Sequence, residues 1–225
     1  MSAEKKGDIL EKGAILQRDG DLYAIAPHIP GGFIDVESFR VLVDVAEKYN
    51  AKALKLTSGQ RIAVVGIREE DIDAAWADVK RGIGFAIGLC VRMVKFCPGT
   101  TYCRHGKQDA MGLGKVLDKH FHGYMLPAKF KIGVAGCEYG CSGPSVKEVG
   151  IIGTPEGWTV LAGGNCGARP RLADKMADGL NADEAVDLTE RIVKYFEGCQ
   201  WANKMRLSRV VEKIGLDEFK KAVGV

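Results

Sequence analysis

The short apolar run in "DLYAIA" (21–26) predicts a strand, and "HIPGGFID" follows as a turn. Asp35 is placed to cap a helix whose apolar face is Val36, Phe39, Val43, Ala46 and Tyr49. "AKALKLT" predicts a second strand, "SGQ" a tight turn, and "RIAVVGI" a third strand in hairpin register with the second. "EEDIDAAWADVKRG" has the period of an amphipathic helix with Ile72, Ala75, Trp76 and Val79 inward. Beyond Gly88 the pattern changes. Short apolar strands, "KFKIGVAG", "EVGIIG" and "GWTVLAGG", are separated by glycine loops, and helices close the chain. Asn181 with Glu184 makes a capping box, and Ala185, Leu188, Ile192, Tyr195 and Cys199 line one helix face.

The first pattern, βαββα over roughly 20–82, is half of a ferredoxin-like sandwich. The expected organisation is α+β: an N-terminal segment (1–19), a ferredoxin-like half-domain (20–84) and an α/β domain (85–225). The glycine-rich piece from Gly82 to Gly88 is the boundary. At 225 residues the chain can bury a real core, and 46% hydrophobic with 27% charged residues is an ordinary globular balance. A net charge of +3 without a run of five like charges gives no nucleic-acid footprint. "MSAEKKGDILEKG" has no apolar h-region. "GIGFAIGLCVRMVKF", broken by Arg92 and Lys95, is too short to span a bilayer. The expectation is a cytoplasmic protein with no membrane partner. Seven cysteines, an odd number, then point to metal or redox chemistry rather than to disulfides.

Four of the seven form two close pairs. Cys97 and Cys103 sit in "CPGTTYC", and Cys137 and Cys141 in "CEYGC". Pro98, Gly99, Gly136 and Gly140 supply the turns that would let four thiolates converge. An iron–sulfur cluster is the favoured reading. A structural zinc site and four unrelated core thiols are the alternatives, although five intervening residues are awkward for a zinc knuckle. Cys199 and Cys90 read as core. Cys166, in "GGNCGARPR" beside two arginines, reads equally as structural or reactive.

"CPGTTYC", "GCEYGC", "EVGIIG" and "GGNCGARPR" together resemble the haem-and-cluster half of the sirohaem-dependent sulfite and nitrite reductases. "HIPGGFI" and "LKLTSGQRIAVVGI" resemble the ferredoxin-like half of the same repeat. The resemblance implies a 4Fe-4S cluster on Cys97, Cys103, Cys137 and Cys141, with Cys141 bridging to sirohaem iron. It implies a six-electron reduction of sulfite to sulfide, with nitrite to ammonia as the alternative, and electrons from an external carrier such as a ferredoxin. A non-catalytic iron–sulfur subunit is a further alternative, against which the lysine pair and the GGN loop weigh. A basic pocket is required for sirohaem carboxylates and for an anionic substrate. In "PAKFKI" a strand would set Lys129 and Lys131 on one face, about 7 Å apart, with Phe130 and Ile132 on the other. The opposing reading is a solvated edge strand. Lys129, Lys131 and Arg61 are the expected catalytic cations. Arg61, Arg92, Gly163, Gly164, Asn165, Arg169 and Arg171 are the expected cofactor contacts. His120 and His122 read as solvated residues of a polar loop, and His105, close behind Cys103, as a weak proton-donor candidate. Larger members of the family carry two copies of this repeat, so a single copy implies a possible homodimer. An arginine that some members place before the PGG turn is absent from "AIAPHIPGG".

Overall fold

A computed structural model describes residues 6–79 and 85–225. They form two compact units divided between Ile87 and Gly88. Gly82 to Gly84 of the expected boundary, and the end of the helix expected over "EEDIDAAWADVKRG", lie outside the described residues.

The first unit is an antiparallel sheet built from β1 (Ala14–Leu16), β2 (Tyr23–Ile25), β3 (Ala53–Leu56) and β4 (Ile62–Ile67), in the order β1-β2-β4-β3. Two helices, α1 (Val36–Lys48) and α2 (Ile72–Asp78), join its core. Two expectations need correction. The sequence reading leaves residues 1–19 outside the half-domain, but Ala14 to Leu16 pair with β2, and Ala14 is fully buried. Three residues are too short a stretch to show an alternation. The buried stripe of α1 also departs from the expected face at Val36 and Phe39, although Ala46 and Tyr49 pack against the core as expected. Ser38, Leu42 and Val45 point inward, while Val36 is 67% and Phe39 44% exposed. The cause is the cap. The Asp35 carboxylate accepts both the Ser38 N–H (2.8 Å) and its hydroxyl, so a polar residue can be buried there.

The second unit is a five-stranded mixed sheet in the order β5-β6-β7-β8-β9. Its strands are β5 (Val91–Phe96), β6 (Phe130–Ala135), β7 (Val149–Thr154), β8 (Gly157–Ala162) and β9 (Asp174–Leu180). The first three are parallel and the last two antiparallel. A short helix α3 (Gly99–Tyr102) and α4 (Ala110–Phe121) connect β5 to β6. After the sheet come α5 (Ala182–Gly198), α6 (Leu207–Ile214) and α7 (Leu216–Ala222). Phe96, Phe130, Ile132, Val134 and Ile151 pack with Leu117 of α4, Ile192 and Phe196 of α5, and Phe219 of α7 in one core. The Asn181–Glu184 capping box opens α5 as expected, with both reciprocal hydrogen bonds present. Among the described residues no helix is long and apolar enough to cross a membrane.

Candidate functional site

The four paired cysteines sit beyond the carboxyl ends of two neighbouring parallel strands. Cys97 follows β5 and Cys103 ends α3, while Cys137 and Cys141 lie in the loop that leaves β6. Ligand sites in open α/β sheets form in such a place, because the loops diverge there and leave room. Here the two loops are fastened to each other. The Gly136 carbonyl accepts N–H groups of Lys107 (2.7 Å) and Gln108 (3.1 Å), and the Gly136 N–H donates to Cys97 Sγ at 3.1 Å. This close approach needs glycine. A Cβ on Gly136 would lie 2.8 Å from the Gly99 Cα, and Gly99 itself has φ of +53°.

The donor set fits an iron–sulfur cluster. All four groups are soft sulfur ligands, Cys97, Cys103 and Cys137 are half-buried, and Cys141 is exposed. Among the described residues, no three His, Cys, Asp or Glu side chains stand close enough to share a single metal ion. A cluster differs from one zinc in that each thiolate meets its own iron, which spreads the ligands apart. An open cleft of about 590 Å³, lined in part by Arg104, His105, Lys107, Cys137 and Tyr139, adjoins this end. His105 is held there by Arg104 Nε at 3.1 Å and by edge-on packing against the Tyr139 ring.

At the start of β6 the chemistry changes. β6 lies between β5 and β7, so the edge-strand reading does not hold. Phe130 and Ile132 are fully buried, and Lys131 is half-buried on the opposite face. Lys129 precedes the strand and is exposed, a correction to its expected place inside it. Burial, and after it the neighbouring Arg206, Arg92 and Lys129 charges, push the Lys131 ammonium below its ordinary range, while Glu148 opposes them. Arg92, half-buried, donates from Nε to the Gly88 carbonyl at 3.0 Å. Lys147 is likewise half-buried, and burial, Lys95 and Lys131 depress it.

Glu148 is the acidic partner in this basic neighbourhood, and its side chain is fully buried. One carboxylate oxygen accepts the Lys131 backbone N–H at 2.9 Å, and the other takes the Arg206 guanidinium. Its own carbonyl accepts the Gly163 N–H at 2.9 Å. Glu148 therefore ties the lysine strand, the GGN loop and the start of α6 together. Burial raises its pKa, against the pull of Arg206. Sequence reasoning missed Lys95, Lys147, Glu148 and Arg206. The available signal was the "KE" step at the mouth of an apolar run, where a charge must find a partner.

The GGN loop is a tight hairpin. Asn165 and Arg171 exchange both backbone hydrogen bonds at 2.9 Å, and Asn165 Nδ2 donates to the Arg169 carbonyl at 3.1 Å. Arg171 braces the loop from inside, with Nη1 on Gly163 O (2.9 Å) and Nη2 on Asp174 (2.5 Å). Arg169 and Cys166 are exposed. Arg61 lies in the first unit, 9% exposed, with Nη1 directed to Ala86 O at 3.4 Å. Cys90 and Cys199 are core thiols as expected. His120 belongs to the last turn of α4 and His122 caps it, so neither sits in a loop.

Two family models match the chain. "Nitrite and sulphite reductase 4Fe-4S domain" covers residues 87–225, and "Nitrite/Sulfite reductase ferredoxin-like half domain" covers residues 15–82. A protein of Nitratidesulfovibrio vulgaris named "Sulfite reductase, assimilatory-type" is 39% identical over 94% of this chain and 97% of its own length. A nitrite reductase of Bacillus subtilis is 33% identical over 93% of this chain, but only 26% of its own length is matched. In fold, the chain aligns with a dissimilatory sulfite reductase at TM-score 0.82 and 13% identity, covering 91% of this chain and 69% of that one.

Proposed function

The chain belongs to the nitrite and sulphite reductase family, and on that premise we propose that it reduces sulfite to sulfide with six electrons from an external carrier. The observation that carries this reading is one sheet bearing both required chemistries. Paired thiolates lie past the ends of β5 and β6, and half-buried cations lie at the start of β6 and before β7. An iron–sulfur electron carrier without substrate has no use for buried cations. The 39% identity to a relative named an assimilatory-type sulfite reductase, over 97% of that relative's length, also supports the sulfite reading. Nitrite, another small oxyanion, is the second substrate the same cations would accept.

In this proposal Cys97, Cys103, Cys137 and Cys141 would hold the cluster, with sirohaem beside Cys141. Gly163, Gly164, Asn165, Arg92, Arg169 and Arg171 would surround the macrocycle. Bound, the coupled cofactors would supply single electrons to the oxyanion. The protein's share is charge and protons. Lys129 and Lys131 neutralise the oxyanion. Lys131 holds a proton at Nζ that burial and adjacent cations make easier to release, which suits delivery to an oxygen leaving as water. Glu148 keeps the Lys131 backbone and Arg206 fixed while this happens.

The proposal includes a homodimer in which basic residues of one chain lie near the cofactor of its partner, restoring the two-repeat arrangement that the family resemblance implies. Anaerobically purified protein should show isobacteriochlorin absorption in the red and turn over sulfite with an artificial donor. A cluster shoulder alone would reduce the chain to a carrier. Co-expressing Cys103→Ser with Lys131→Ala chains should raise turnover above that of either variant alone, if the dimer shares its sites. Failure to complement would assign both ends to one chain.

A further inference from the structure

Three of the motifs above meet at a residue that none of them contains. A Cβ built on Gly133, in β6, would lie 3.0 Å from the Lys147 side chain. One built on Gly143, two residues past Cys141, would lie 3.4 Å from Lys147 Nζ. One on Gly164, in the GGN loop, would lie 2.6 Å from the Lys147 carbonyl and 2.8 Å from its nitrogen. The lysine strand, the thiolate loop and the GGN loop thus each give up a side chain at the point where Lys147 passes.

The Lys147 side chain is half-buried, and no carboxylate pairs with it among the described residues. The nearby charges that act on it include Lys95 and Lys131, with Cys166 and Glu148 on the favourable side, and Glu148 is already engaged by Arg206. A cation half out of water and beside two like charges is unfavourable unless an anion completes it.

We infer that Lys147 is an anion-binding residue of the cofactor site, and that its Nζ, beside the Cys141 loop, takes a carboxylate arm of the tetrapyrrole. The inference rests on the family function proposed above. The ligand is assigned to the macrocycle rather than to sulfite because Nζ lies beside Gly143, two residues past Cys141, while the GGN loop packs on the same residue's backbone.

The test is Lys147→Met, which keeps length and burial but removes the charge, with Lys147→Arg as the rescue. Both are purified anaerobically beside wild type, and haem, iron and sulfide are measured per chain. Losing one charge-assisted contact weakens binding about ten- to hundredfold. Lys147→Met should lose most of its haem on gel filtration while keeping its iron–sulfide content, and Lys147→Arg should keep both. Acetic anhydride labelling, read by peptide mass spectrometry, should modify Lys147 more slowly in haem-loaded than in haem-free wild type. Full haem content in Lys147→Met, with unchanged labelling, overturns the inference. Full haem content with a raised KM for sulfite overturns it in favour of the substrate. Wild type without haem would instead defeat the proposed function, so the two failures are separable.

Discussion

The two ends of β6, a strand of six residues, carry opposite chemistry and are held by opposite means. Past its carboxyl end are soft thiolates in loops whose backbones fasten to each other through Gly136, with little side-chain involvement. At its amino end are hard cations, and one buried carboxylate, Glu148, holds the Arg206 guanidinium and the Lys131 backbone N–H there. A thiolate site needs fixed geometry but no counter-charge until metal arrives, and close backbone packing provides that. A cation site must offset desolvation and mutual repulsion, so it needs a partner charge. The first end should tolerate change in neighbouring side chains but not added bulk. The second should respond to charge.

Single substitutions would break or sharpen this contrast. Cys103→Ser should lose iron and labile sulfide together, and all turnover with them, whereas Cys199→Ser keeps both. Chemical iron and sulfide assays decide it, and near-stoichiometric iron in Cys103→Ser would remove that residue from the ligand set. Glu148→Ala comes next. It strands the Lys131 N–H and the Arg206 charge, and breaking a buried pair costs about 3 kcal/mol, measurable by urea unfolding. An unfolding midpoint equal to wild type would show that the carboxylate does not organise that end. Lys131→Ala should slow sulfite reduction about ten- to hundredfold with an unchanged cluster spectrum, and Lys129→Ala less, because Lys129 is exposed.

The Lys131 shift also sets a sign for stability. Its folded pKa lies below the ordinary 10.5, so its stabilising contribution is present above that value and lost as pH falls through the depressed one. At neutral pH the charged lysine therefore weakens the fold. Lys131→Met should raise Tm at pH 7 while lowering activity, and the gain should fade as pH rises toward 10.5. A gain that is constant with pH would point to packing instead. The smallest expected effect is a control. Asn181→Ala removes a cap remote from both ends and should cost about 1 kcal/mol without altering iron content or turnover.

Legibility in the sequence followed the same division. The cysteine pairs, the caps at Asp35 and Asn181 and three of the five strands of the second sheet were readable, because each depends on local spacing or local hydrogen bonding. β5 was hidden because Arg92 and Lys95 interrupt its apolar run, although Val91, Val94 and Phe96 are buried. α4 was hidden by Gly112 and Gly114, which lower helix propensity. Gly114 is there for packing, since a Cβ would meet the Phe96 ring at 2.4 Å. β9 presents little of its surface to the core, Met176 being its one buried residue. The Glu148–Arg206 pair spans 58 positions, and no local pattern announces a contact of that separation.

The fastening at Gly136 bears on how the metal centre assembles. The bonds from Lys107 and Gln108 to its carbonyl are amide-to-carbonyl contacts that involve no metal. These bonds help to close the loops, and lower the ordering cost that cluster binding must meet. A small zinc module, by contrast, folds only when its ion arrives. The N–H that Gly136 directs at Cys97 Sγ also stabilises negative charge on that sulfur, and hydrogen bonds to cluster sulfurs are among the features that set reduction potential. The two peptide groups that flank Gly136 thus serve different ends, one closing the loops and the other bearing on the redox poise of the centre.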